Sequence, residues 1–160
     1  MNAIDFLIRQ HRSMETMLAR VIDAADDARP RLYAEAADQL TMHISAEEIV
    51  FYPAVRAART EDILLESLEE HLSLKRLMAD LLTLGGGEPT FLPKFKVLKE
   101  QAEHHHKEEE EHLFPKVKAL LGASRLNELG AEMIALQTQQ KMEGSPRDNV
   151  AGDTDTAAPL

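Results

Sequence analysis

The chain contains no cysteine and no tryptophan, and only two tyrosines and five phenylalanines, in 160 residues. Without cysteine there can be no disulfide, thiolate zinc site, iron–sulfur cluster or thiol nucleophile. Positive charge is also scarce: 18 Lys and Arg stand against 28 Asp and Glu, a formal net charge of −10. Nucleic-acid binding runs on Lys and Arg neutralising phosphates, and anionic membrane surfaces attract basic segments. Neither partner is expected. No stretch approaches the roughly 18 uninterrupted apolar residues of a membrane span. The N-terminus, Met1-Asn2-Ala3-Ile4-Asp5-Phe6, lacks the basic start and apolar run of a secretory signal, so a cytoplasmic location is expected.

What the chain does have is apolar residues and histidine. An apolar fraction of 44% is too high for a disordered protein. The length suits one domain with its own core. There are seven histidines. With no thiolate available, any transition-metal site must be built from imidazole and carboxylate.

Apolar positions recur at helical spacing almost throughout. The first helix follows the cap Asn2, with Asp5 in its first turn and a stripe Ile4, Leu7, His11, Met14, Leu18, Val21. The second spans about residues 31–57, with a seam Ala36, Leu40, His43, Glu47, Val50, Ala54. The third runs from the cap Thr60 to about Leu84 through Leu64, Leu68, His71, Leu74, Met78 and Leu81, until Gly85-Gly86-Gly87 stops it. The fourth starts after Thr90 and carries Phe91, Phe95, Leu98, Ala102, His105, Glu109 and His112 or Leu113. A shorter fifth follows Gly122, with Leu126, Leu129, Met133 and Leu136 on one side; its Gly130 marks a close backbone approach. Long helices joined by short loops predict an all-α, up-down-up-down four-helix bundle over residues 1–142. Residues 143–160 are Gly-, Ser-, Pro-, Asp- and Thr-rich, which predicts a disordered tail.

The chain repeats itself. His11-Arg12-Ser13-Met14 aligns with His71-Leu72-Ser73-Leu74, and His43-Ile44-Ser45-Ala46-Glu47 with His105-His106-Lys107-Glu108-Glu109. The match continues from Phe51-Tyr52-Pro53 to Leu113-Phe114-Pro115. Each half is a helical hairpin carrying His, then His-x-x-x-Glu. Residues i and i+4 sit one above the other on a helix face, so His43 with Glu47, and His105 with Glu109, can aim at one interior point. Counted through the loops, the four histidines lie at similar depth, within about 4.5 Å along the bundle axis.

A lone histidine on an apolar stripe is ordinarily a hydrogen-bonded core residue. Four at matched depth, with two carboxylates that are costly to bury unless paired or metal-bound, are not. The set predicts two metal positions held by His11, His43, Glu47, His71, His105 and Glu109. Nitrogen and carboxylate ligands with open positions favour non-haem iron, with manganese and zinc as competitors. His104 and His106 flank the seam and are expected to face away; His112 can approach it. Glu48 and Glu110 are candidates for supporting or alternative ligands. Tyr52 and Phe114 are expected to pack, and Pro53 and Pro115 to kink the helix ends.

On these residues the chain resembles the hemerythrin-like family, also called the HHE cation-binding domain, over about residues 3–142. The resemblance implies a four-helix bundle around a di-iron centre, two iron ions with an oxo or hydroxo bridge, ligated at the six positions named. One departure stands out. Oxygen carriers of this family have a second histidine one turn after the third-helix histidine; here that position is Lys75, and Glu109 stands where they have Asp. The site is therefore more open to outside ligands, or is completed by Glu48 or Glu110. The resulting expectation is a protein that binds or senses oxygen, nitric oxide or peroxide, or handles iron and oxidative or nitrosative stress. A di-iron oxidoreductase that decomposes peroxide or nitric oxide is the alternative, and a helical interaction module with structural zinc is a second.

Overall fold

A computed structural model describes residues 1–160, and every regular element in it is helical. Helix α1 is Ala3–Asp23, α3 is Glu61–Leu82 and α5 is Ala123–Glu143. Helix α2, Arg29–Ala46, runs on through a π-helical turn, Glu47–Phe51, into a last turn, Tyr52–Ala54. Helix α4, Phe91–Glu108, does the same through Glu109–Leu113 into Phe114–Leu120. Helix α1 packs on α2 and α4, and α3 packs on α4 and α2, so four helices close a ring; α5 lies outside it against α1 and α2.

The first cap acts as the sequence implies. The Asn2 side chain accepts the Asp5 backbone N–H at 3.0 Å, satisfying one of the donors a helix start leaves free. Pro30 lies in the first turn of α2, a place where its missing N–H costs nothing. Thr60 flanks α3 but spends its hydroxyl on the preceding turn, donating to the Val55 carbonyl at 2.8 Å. The close approach marked by Gly130 is real. A Cβ there would lie 2.3 Å from the Met1 carbonyl oxygen.

Both π-helical turns begin at a seam glutamate and are followed by a proline at the second position beyond. Proline cannot donate to the residue four back, and its ring crowds that carbonyl. A widened turn relieves both, and such turns concentrate at functional sites. The expected kinks at Pro53 and Pro115 thus take the form of one wide turn each.

The interior is divided. One apolar cluster contains Met14, Leu18, Leu40, Leu74, Met78 and Phe95. The other contains Ile4, Leu7, Phe51, Leu64, Phe114 and Leu129. Histidines and glutamates occupy the layer between them.

Residues 145–160 do not stand apart from the bundle as composition suggested. Pro146–Asn149 form a 3₁₀ turn. The Arg147 backbone and guanidinium both donate to Asp38, and Val150 is buried in the first apolar cluster. Farther on, Arg76 donates to the carbonyls of Thr154 and Asp155. A few specific contacts position a segment that has no helical stripe of its own.

Candidate metal centre

All six side chains chosen from the sequence meet in the polar layer, each at 1% exposure or less. His11 comes from α1, His43 from α2, His71 from α3 and His105 from α4. Glu47 and Glu109 open the two wide turns.

The four imidazoles are oriented alike. Each Nδ1 is bound on the outer side: His11 to Glu110 at 2.9 Å, His43 to the Gln10 amide oxygen at 2.9 Å, His71 to Glu48 at 3.0 Å and His105 to Glu70 at 3.1 Å. Each Nε2 is thereby turned to the centre. This is the arrangement of ligating histidines, whose outer partner fixes the ring and raises its basicity. Glu48 and Glu110 therefore bind the outer nitrogens of imidazoles, away from the converging Nε2 atoms. Gln10 and Glu70 do the same work and escaped sequence analysis.

These supports are themselves held. Gln137 of α5 donates to Gln10 at 3.1 Å and to the Met42 carbonyl at 3.2 Å. Lys75 donates to Glu48 at 2.8 Å and to Asp153 at 2.6 Å. Arg12 pairs with Glu110.

Around the centre the donors form two groups. On one side, His43 Nε2 lies 2.8 Å from Glu47 Oε1, and His11 Nε2 lies 3.5 Å from Glu109 Oε1. On the other, His71 Nε2 lies 2.9 Å from Glu47 Oε2 and 3.1 Å from His105 Nε2. Glu47 thus offers one oxygen to each side.

Tyr52, expected only to pack, belongs to the second group. Its hydroxyl is 2.9 Å from both Glu47 Oε2 and Glu109 Oε2, and 3.3 and 3.4 Å from the Nε2 atoms of His71 and His105. It donates to a carboxylate and fills the space between the two imidazoles.

His106 corrects a further expectation. It does not face away; it is buried and stacks on His11 with ring centroids 4.0 Å apart. Donor atoms of His11, His43 and His106 lie within 4.8 Å of one another, as do those of His11, His43, Glu47 and Glu109, and those of Glu47, His71 and His105. His104 is exposed as expected. His112 is exposed too, pairing at 3.7 Å with Glu108, so it is not in the centre.

Burial and charge compete here. Burial opposes the charge of Glu47, but His43, with hydrogen bonds from His105 and His71, holds it well below the usual carboxylate range. Burial likewise opposes charge on His105, yet Glu109, Glu47 and Glu70 push it well above the usual imidazole range. His11 and His71 are raised in the same manner by their glutamates. His43 and His106 go the other way, lowered chiefly by burial. Burial, then Glu109 and Glu47, raises the Tyr52 phenol well above its ordinary value.

In this layer five buried polar atoms have no hydrogen-bond partner: the Nε2 atoms of His11, His43 and His106, and the Oε1 atoms of Glu47 and Glu109. Orphaned buried polar atoms are costly. Their convergence on one face fits a cation, and neutral imidazole with carboxylate is the donor set non-haem iron takes. A surface groove lined by Glu66, Glu70, Glu108 and His112 reaches Glu109 from outside.

Residues 2–117 match the model of the hemerythrin HHE cation-binding domain family. A crystal structure of a hemerythrin HHE cation-binding domain-containing protein from Mycobacterium kansasii has the same fold. Its TM-score is 0.77 at 23% identity, covering 99% of this chain and 95% of that one. A DNA nickase of Nostoc sp. (strain PCC 7120 / SAG 25.82 / UTEX 2576) is 25% identical over 147 residues, 90% of this chain but 42% of the relative's length.

Proposed function

The chain belongs to the hemerythrin HHE cation-binding domain family, and from that premise we propose that it is a dinuclear non-haem iron protein that binds or senses oxygen, nitric oxide or peroxide. The observation that carries this reading is the common orientation of the four imidazoles. Each is fixed on its outer nitrogen and aimed inward on its other. His11, His43, Glu47 and Glu109 would hold one ion. His71 and His105, with the second oxygens of the same glutamates and the Tyr52 hydroxyl, would hold the other. Iron bound there supplies redox chemistry and Lewis acidity. The protein supplies a buried layer of fixed donors. Apolar clusters above and below keep bulk water out, and the groove at Glu109 would be the approach for cations and small molecules.

Anaerobic loading with ferrous iron, followed by metal analysis and visible spectra under oxygen and peroxide, tests the reading. Two irons per chain and a ligand-dependent colour are expected. Well under two irons would remove it, and a colourless zinc protein would favour a structural role. Oxygen release from peroxide faster than that of free iron would make the centre a di-iron oxidoreductase. The proposed setting is cytoplasmic; no helix is long and apolar enough to cross a membrane. The cyanobacterial relative's name carries no DNA-directed reading here. The chain spans 42% of that protein, and a net charge of −10 opposes contact with phosphates.

A further inference from the structure

We propose that His106 is itself a metal ligand, the third imidazole beside His11 and His43, and that the two metal positions are therefore chemically unequal. The inference rests on the dinuclear reading above. Its own support is the geometry of one side chain.

His106 is buried between α4 and α1, 2% exposed, and its Nε2 has no hydrogen-bond partner. A core histidine kept for packing normally satisfies its ring nitrogens. This one is stacked on His11 at an interplanar angle of 12°, and its centroid is 5.2 Å from that of His43. Those two rings also carry orphaned Nε2 atoms. All three rings offer a donor nitrogen within 4.8 Å of the others. No hydrogen bond between the three would satisfy every nitrogen, whereas one cation at their common focus would.

Glu47 Oε1 and Glu109 Oε1, also without a hydrogen-bond partner, form a second group with the same His11 and His43. The position beside α1 would thus draw on three nitrogens, with the two carboxylate oxygens adjoining His11 and His43. The position beside α3 has two nitrogens, from His71 and His105, and oxygens from Glu47, Glu109 and Tyr52. The residue one turn beyond His71 adds nothing there: Lys75 is occupied by Glu48 and Asp153. The extra imidazole is supplied by α4, and to the opposite position.

Unequal donor sets imply unequal affinities and unequal spectra. His106→Phe keeps a flat ring to stack on His11 and removes the donor nitrogen. Titration of the metal-free chain with ferrous iron, with metal analysis and Mössbauer spectra, reads the result. Wild type is expected to take two ions giving two distinct signals. His106→Phe is expected to keep one ion at wild-type strength, to bind the other at least tenfold more weakly, and to alter one signal only. Two ions bound as tightly as in wild type, with both signals unchanged, would overturn the proposal. Should His106→Phe not fold, His106→Gln decides by the same measurements, and His104→Ala, at an exposed site, controls for the loss of a nearby imidazole. If wild type itself takes fewer than two ions, the dinuclear reading has failed; if only the His106 comparison shows no difference, this inference alone has.

Discussion

Tyr52 lies five residues beyond Glu47 on the same helical segment, yet its hydroxyl donates to the Glu47 carboxylate at 2.9 Å. On a regular α-helix five residues turn the chain well off the starting face. The wide turn Glu47–Phe51 brings the two back together, and the same hydroxyl touches Glu109 from α4. Removing it takes away the one hydroxyl proton shared by this buried carboxylate pair. Tyr52→Phe should lower the stability of the metal-free protein by about 1–3 kcal/mol. Denaturant unfolding checks this; an unchanged midpoint would show that the hydroxyl is not needed there.

Gln10 holds the outer nitrogen of His43 and is held by Gln137. Gln10→Leu keeps the bulk and removes the acceptor. Metal affinity should fall about 10–100-fold, as for other outer partners of ligating histidines, with helix content unchanged by circular dichroism. Gln137→Leu, one step farther out, should have a smaller effect in the same direction.

Protons would compete with metal at three candidate ligands. His11, His71 and His105 are raised above the ordinary imidazole value of about 6.5 in the metal-free chain. They hold protons below their folded values, and those protons must leave when a metal binds. Affinity should therefore weaken as pH falls through that range. Calorimetry in buffers of different ionisation enthalpy should show proton release. The stability the three add to the metal-free fold is complete below about 6.5 and is lost as pH rises through their folded values. His43 and His106, lowered instead, lose stability as pH falls below that same ordinary value. Glu47, Glu48 and Glu70 are lowered too. Their contribution is present above about 4.3 and disappears as pH falls through their folded values, so a Glu48→Gln variant should show a shallower acid limb.

Val150 anchors the C-terminal segment in the first apolar cluster. Val150→Ala should cost about 1–2 kcal/mol. Amide hydrogen exchange should show protection at residues 147–150 in wild type and less in the variant. Fast exchange throughout the wild-type segment would mean that it does not hold this position in solution.

The stripes through His11, His43, His71 and His105 are legible because helical periodicity and the internal repeat agree on them. Tyr52 is not, because a wide turn breaks the period on which a face assignment depends. His106 sits one residue past a seam position, where periodicity alone turns it outward. Its counterpart in the repeat is Ile44, an apolar and buried residue, and that pairing is the signal that could have found it. Gln10 and Glu70 are partly exposed polar residues on helix surfaces; nothing in their spacing separates them from a solvated face. For the C-terminal segment the sequence offers only composition, which carries no information about single contacts such as that of Arg147 with Asp38.

Two of the outermost links to the imidazoles come from beyond the residues that the family match spans, 2–117. Gln137 steadies Gln10, and Asp153 grips Lys75 behind Glu48. A bundle cut at residue 117 would retain every candidate ligand and every immediate support. It would lose the braces behind two of them, on opposite sides of the layer. The last quarter of the chain therefore works as a clamp on the centre's tuning, set apart from the ligand set it steadies.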